Sequence, residues 1–423
     1  MRYKKTAEWN KLDNAAKIFP PASSKRDSKV FRFACELYEE VDPAALQSAL
    51  EKTIEMFPIF KSVLRKGLFW YYLEESNLRP IVHAENNPPC SPIYDGDRRD
   101  LLFRVTYYRC RINFEVYHAI TDGTGAMQFL RLLVYHYLAV SHAQDFPDGM
   151  PPMDYDASMT QREADSFQKY YSGTQHVKME QMPPAYQIRG MRFPAGQMRV
   201  LEGVMSAKSV LDAAHRYNAT MTAFLSAVMI CAIHDEMPIR REREKIVLMV
   251  PVNLRKYFAS QSARNFFSFI RVGHCFANEG KTLEEVVERI SHVFQEELTT
   301  ERLGRRMDDF ATLEHNVFVR LVPLVFKDIG MAAANRIARK AITASISNIG
   351  RVDMPPELRH YIRQFDVFTS TDRLQMCMWS YQDRLVLSFT SAFVNTDIVR
   401  RFFRMLSEMG IDIEIVSSPM DEK

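Results

Sequence analysis

The stretch FEVYHAITDGTGAMQF, residues 114–129, places His118 four positions ahead of Asp122 and follows the acid with Gly123, Thr124 and Gly125. Imidazole is the one side chain that accepts a proton near neutral pH without special tuning, so a histidine at a cleft is a ready general base for a hydroxyl or an amine. The two glycines permit close backbone approach and a sharp turn. Asp122 suits the start of a helix, where it caps free N–H groups and complements the dipole, and its second oxygen is able to hold an arginine. The same residues also fit a plainer arrangement, a satisfied core histidine beside an N-capping aspartate.

The neighbouring sequence decides where these residues sit. LLFRVTYYR and INFEVYHAI predict a hairpin near Cys110. In its second strand Ile112, Phe114, Val116 and His118 face one way and Glu115 and Tyr117 the other. MQFLRLLVYHYLAV then predicts a largely apolar helix, so His118 ends an apolar strand face just before a turn and a buried helix.

The rest of the chain reads as α/β. VDPAALQSALEKTIEMFP predicts a helix capped by Asp42, with Pro43 in its first turn and Pro58 as its stop. It lies between the strand KVFRFACEL and a pair of short strands around Gly67. Residues 144–200 are rich in proline and poor in periodicity. They divide the chain into an N-terminal unit, 1–150, a Pro-rich linker, 151–200, and a C-terminal unit, 201–423. Beyond the linker, helices are expected near SAKSVLDAAHRY, TAFLSAVMICAIH and TLEEVVERISHVFQEEL, from Asp308 to Lys340, and from Asp397 to Met409, closed by Gly410. Strands are expected at KIVLMVPVNL, SFIRVGHCF, MCMWSYQ, RLVLSFT and IDIEI.

Composition narrows the function classes. In 423 residues, 55 basic and 52 acidic side chains leave a net charge of +3, no electrostatic footprint for nucleic acid or an anionic membrane surface. No apolar run has the length of a signal sequence or a membrane span, so a cytoplasmic protein without a transmembrane segment is expected. The six cysteines are scattered singly, without a C-x-x-C pair, and suggest neither a metal site nor a disulfide framework. No P-loop or dinucleotide fingerprint is present. His136, His142, the pair Glu284 and Glu288, and the pair Arg305 and Arg306 read as packed, terminal or solvated residues.

YHAITDG resembles the H-H-x-x-x-D-G motif of the CoA-dependent acyltransferase superfamily, which includes chloramphenicol acetyltransferase, the condensation domains of peptide synthetases and the alcohol acetyltransferases. VDPAALQSALEKTIEMFPIF is similar to that family's opening helix, VPVNLRKYF to its P-V-N-x-R strand end, and SISNIGRVDMP to the S-N-x-G segment of the alcohol acetyltransferases, all in the family's order. The resemblance implies two chloramphenicol-acetyltransferase-like subdomains, each a mixed sheet flanked by helices, with an active-site tunnel at their interface. It implies that His118 is the catalytic base, and that Asp122 and Gly123 shape the turn, with Asp122 paired to Arg255 of PVNLR. Arg255 is otherwise a solvated strand-end residue. Ser347, Asn348 and Gly350 either bind the thioester oxygen or only turn the chain. Tyr117 stands where the doubled motif has its first histidine, with little effect expected on catalysis, and the D-F-G-W-G motif of many relatives is missing.

The expected activity is transfer of an acyl group from acyl-CoA, or from a pantetheine arm on an acyl carrier protein, to an alcohol or amine. No metal and no tightly bound cofactor is expected. The alternatives are a non-catalytic binding or scaffold protein of the same fold and a condensation domain acting in trans.

Overall fold

The strand Leu374–Tyr381 is apolar without alternation because both of its faces are covered. Leu374, Met376 and Met378 enter one hydrophobic core, and Cys377, Trp379 and Tyr381 enter the other. A strand buried on both sides loses the in-out pattern of a half-exposed one, and this strand is the wall between the two cores of the molecule. The computed structural model describes residues 9–96, 98–153, 166–172, 183–315 and 321–417. Residues 154–165 and 173–182 of the stretch 151–200 therefore lie outside the described residues.

The first sheet has five strands in the order Ile362–Thr369, Val30–Leu37, Arg111–Tyr117, Phe103–Tyr108 and His83–Ala84. All neighbours are antiparallel except the last pair. Helices Pro43–Glu55 and Gly123–Ser141 pack together in its core. Asp42 caps the first of these through the N–H groups of Ala44 and Ala45. The second sheet has seven strands, in the order Phe267–His274, Ile246–Asn253, Ala344–Val352, Leu374–Tyr381, Arg384–Ser391, Arg199–Ser206 and Glu414–Ser417. Ala344–Val352 is parallel to both neighbours, and the remaining pairs are antiparallel. Helices Ala207–Arg216, Met221–Asp235, Leu283–Glu297 and Asp397–Glu408 bury their apolar residues against this sheet. Trp9–Lys11, Tyr71–Glu75 and Ser62–Lys66 form a small third sheet.

Two mixed sheets flanked by helices are thus present, but the strands do not follow a division at residues 150 and 200. Ile362–Thr369 comes from the second half of the chain and completes the first sheet, pairing along the whole of Val30–Leu37. The helical run from Asp308 to Lys340 contains the end of the helix Thr300–His315 and the helix Leu324–Arg339, with 316–320 outside the described residues. Arg306 is not simply solvated. It donates to the Phe269 carbonyl and pairs with Glu297, tying its helix to the edge of the second sheet.

A buried charge cluster joins the two sheets. Arg111 reaches Asp366 at 2.6 Å and Glu202 at 3.4 Å, and the Gln364 amide donates to Asp366 at 3.1 Å. Burial, and then the neighbouring Glu202 carboxylate, push the Asp366 carboxyl up to about 7 despite Arg111. A folded-state pKa above the unfolded value means that the folded protein holds the extra proton. The stability this group contributes is therefore fullest at acidic pH and is lost as pH rises through about 7. Asp366→Asn should flatten the fall in unfolding midpoint between pH 5 and pH 8, read in parallel thermal melts. An unchanged slope would rule out Asp366 as its source.

Candidate active site

His118 follows directly on Arg111–Tyr117, and its own N–H continues the sheet by donating to the Lys29 carbonyl at 2.9 Å. The ring is half-buried. Phe19 stacks on it at 4.3 Å between centroids and 17°, Phe31 meets it edge-on at 4.8 Å, and Phe267 lies at 5.5 Å. This aromatic cage desolvates the imidazole and lowers its pKa below the ordinary 6.5, against the opposing pull of Asp122. The histidine is therefore neutral at pH 7, the form that accepts a proton.

Which nitrogen accepts it follows from Asn265, a buried residue two positions before the second-sheet strand Phe267–His274. The Asn265 amide nitrogen donates to the His118 carbonyl at 3.1 Å and to the Asp13 carboxylate at 3.3 Å, both pure acceptors. Its oxygen therefore faces His118 Nδ1, at 3.2 Å, and Nδ1 must carry the hydrogen. Nε2 is left as the basic nitrogen. Asp13 is itself fixed by the Ala16 N–H at 2.7 Å and approached by Arg264 at 3.8 Å. The chain Asp13, Asn265, His118 thus spans three separate segments and sets both ring orientation and tautomer.

Asp122 points elsewhere. Its Oδ1 caps the helix Gly123–Ser141 by accepting from the N–H groups of Thr124 and Gly125. Its Oδ2 accepts from the Phe266 N–H at 2.8 Å and from Arg255 Nη1 at 2.7 Å. Arg255 also donates to the carbonyls of Ser262, Arg264 and Phe266, so its guanidinium is the hub around which residues 254–266 fold. With side chains 8% and 6% exposed, Arg255 and Asp122 form a buried pair, a bolt between the histidine turn and the second sheet. Thr121 donates to the Ala263 carbonyl at 2.5 Å and Asn253 to Thr124 at 3.0 Å, closing the same seam. A β-carbon on Gly125 would collide with the Ala263 carbonyl and the Thr121 hydroxyl, so glycine is required there by space. A β-carbon on Gly123 would touch Ile349 at 3.0 Å.

Ile349 thus brings the S-N-I-G segment to the turn. Asn348 is turned to other work, donating to Thr222 at 2.7 Å and accepting from the Gly350 N–H at 2.8 Å. The Asn348–Gly350 stretch is a bulge in the pairing of Ala344–Val352 with Leu374–Tyr381 and gives Gly350 a φ of +100°, a region that favours glycine. Ser347 is half-buried one residue before it.

Tyr117 stacks on Tyr94 at 5.2 Å and bonds Ser23 at 2.9 Å, and burial raises its phenol pKa. On the same strand Glu115 pairs with Arg32 at 2.7 Å and also with Arg104, anchoring the 90s segment through the Cys90 N–H. His136 bonds Thr53 at 2.9 Å, and His142 packs on Tyr361. All six cysteines are free thiols. Among the described residues no cluster of histidine, cysteine and carboxylate side chains has the geometry to hold a metal ion, and no single helix is long and apolar enough to cross a membrane.

No protein-family model and no curated protein matches the sequence. Solved structures do match in fold. The first condensation domain of the calcium-dependent antibiotic synthetase, in complex with substrate analogue 2a, superposes with a TM-score of 0.63 at 14% identity over 95% of this chain and 96% of that one. TRI101 of F. sporotrichioides complexed with coenzyme A and T-2 gives 0.62 at 11% identity, over 96% and 99%. The TRI3 trichothecene 15-O-acetyltransferase of Fusarium sporotrichioides gives 0.59 at 12%, over 95% and 94%. The chain has the fold of these condensation domains and acetyltransferases, as the resemblance in its histidine motif implies.

Proposed function

We propose that this protein is an acyltransferase that moves an acyl group from an acyl-CoA or pantetheine-bound thioester to an alcohol or amine, with His118 as general base. The observation that carries the reading is the neutral imidazole locked by Asn265 with Nδ1 protonated and Nε2 basic. In the reaction Nε2 takes the proton of the acceptor O–H or N–H as that atom attacks the thioester carbonyl. The tetrahedral adduct collapses, the C–S bond breaks, and the leaving thiolate receives the proton back from the imidazolium. An ester or amide and a free thiol result. A thioester is already activated, so a base, a donor to the developing oxyanion and alignment of two substrates suffice. Ser347 is the candidate oxyanion donor. Asn348 and Gly350 shape its strand, and Asp122, Gly123 and Arg255 hold the turn. The coenzyme A bound by TRI101 supports CoA as a donor for this fold.

Thiol release from a panel of acyl-CoAs, with and without added alcohols and amines, tests the proposal, and mass spectrometry of the product identifies the acceptor. Release that persists unchanged in His118→Ala, or no release with any donor, would favour a non-catalytic binding protein. Asn265→Ala should lower kcat about 10- to 100-fold with KM little changed, because the ring loses its orientation. Asn265→Asp should instead move the acidic limb of the rate profile to higher pH, because a carboxylate beside Nδ1 favours the imidazolium. A purely structural role for Asn265 would leave that limb in place.

A further inference from the structure

The helix Leu324–Arg339 is built inside out. Its inward face carries polar groups: Lys327 donates to the Phe69 carbonyl at 3.0 Å and lies 3.5 Å over the Trp70 ring, Asp328 accepts from Tyr71 at 2.8 Å, and Arg339 pairs with Asp372. Leu324 alone among its large apolar side chains is fully buried. Val325, Phe326, Ile329 and Ile337 fall within one stripe by helical spacing, and with Leu321 and the adjoining hairpin residue Leu68 they are 58–72% exposed. The hairpin is joined to the helix start by the Leu324 N–H on the Leu68 carbonyl, at 2.8 Å, so the apolar surface is continuous. Soluble monomers rarely leave a patch of this kind open to water without a use for it.

The helix carries an excess of positive charge. From Leu324 to Lys340 there are four basic residues and one acid, Asp328, which is held inward by Tyr71 and Lys66. Arg336 and Lys340 are exposed, share the outward stripe with Ile329 and Ile337, and make no ion pair among the described residues. Two copies of the helix packed side by side in parallel would bring these cations together, whereas an anionic surface would satisfy them. An exposed apolar stripe that ends in cations at its C-terminal turn suits a helix lying in the headgroup region of a bilayer.

We propose that this face docks the protein on the surface of an anionic phospholipid bilayer, with Phe326 and Ile329 entering the acyl boundary and Arg336 and Lys340 meeting headgroup phosphates. The helix packs on the short helix Phe19–Ala22, whose Phe19 ring covers His118, so docking would set the element next to the imidazole against the membrane. The docking does not depend on acyl transfer, and its test does not read activity.

Co-sedimentation of the full chain with vesicles of phosphatidylcholine alone, and of phosphatidylcholine mixed with phosphatidylglycerol, tests the proposal. The wild type should pellet with the mixed vesicles and far less with the neutral ones. Arg336→Ala combined with Lys340→Ala should weaken partitioning about thirtyfold. Phe326→Ser with Ile329→Ser should abolish it while leaving the unfolding midpoint unchanged, since both positions face solvent. Failure of the wild type to pellet, equal pelleting with neutral vesicles, or variants that pellet like the wild type would each overturn the proposal. So would a dimer in sedimentation equilibrium that Phe326→Ser with Ile329→Ser dissociates, which would assign the face to a second copy of the chain.

Discussion

Replacing His118 by alanine is expected to lower acyl-transfer turnover by about two to four orders of magnitude, the usual contribution of a positioned general base. The loss should fall on kcat more than on KM, because the imidazole acts on the proton in flight rather than on the resting substrate. The pH profile carries an independent signature. Desolvation by Phe19, Phe31 and Phe267 depresses the imidazole pKa, so the acidic limb of kcat/KM should lie below the ordinary histidine value of 6.5, with the rate on its plateau by neutral pH. Phe19→Ala opens one face of the ring to water and should shift that limb upward. A wild-type limb above 6.5, or a His118→Ala enzyme within threefold of wild type, would end the assignment of His118 as the base.

Arg255→Ala should be the most damaging single change to the fold, costing about 3–5 kcal/mol, because it strands the buried Asp122 carboxylate without a cation. It also removes the donor shared by the carbonyls of Ser262, Arg264 and Phe266. The loss is measurable as a fall in the denaturation midpoint, with turnover falling because the turn that carries His118 loosens. Arg255→Lys keeps the charge but not the forked geometry and should recover only part of the loss. Asp122→Asn keeps an oxygen for the helix cap yet leaves Arg255 unpaired, so it should damage stability without moving the acidic limb as Asn265→Asp does. An Arg255→Ala protein that melts with the wild type would show that the pair contributes nothing.

The local elements of this fold were legible wherever one face of a strand or helix is apolar. Asp42 with Pro43, the hairpin before His118 and the helix after it follow from capping residues and spacing alone. The strands Arg199–Ser206, Ala344–Val352 and Ile362–Thr369 were missed for a common reason: each interleaves polar or small residues that pair with distant partners. Glu202 and Asp366 meet Arg111 inside the protein, and Asn348 serves a bulge. In the candidate site, His118, Asp122 and Arg255 stand out by residue type within short motifs. Asn265, Asp13 and Phe19 do not, because an asparagine or aspartate ahead of a strand or turn is ordinary locally and acquires its role only when three distant segments converge. The helix Leu324–Arg339 shows the same limit from another side. Periodicity reveals that a helix has two faces, not which one is turned inward, and a whole-chain charge of +3 conceals a local excess of cations.

The strand Ile362–Thr369 has a consequence for how the two halves of the chain can be handled. It seals one edge of the first sheet along Val30–Leu37, so an N-terminal fragment ending near residue 200 would leave that edge bare. An open row of unpaired amides invites pairing with other copies. Such a fragment should precipitate on its own and be rescued by co-expression with the remaining polypeptide, which makes the molecule a natural split-protein pair rather than a tandem of separable modules.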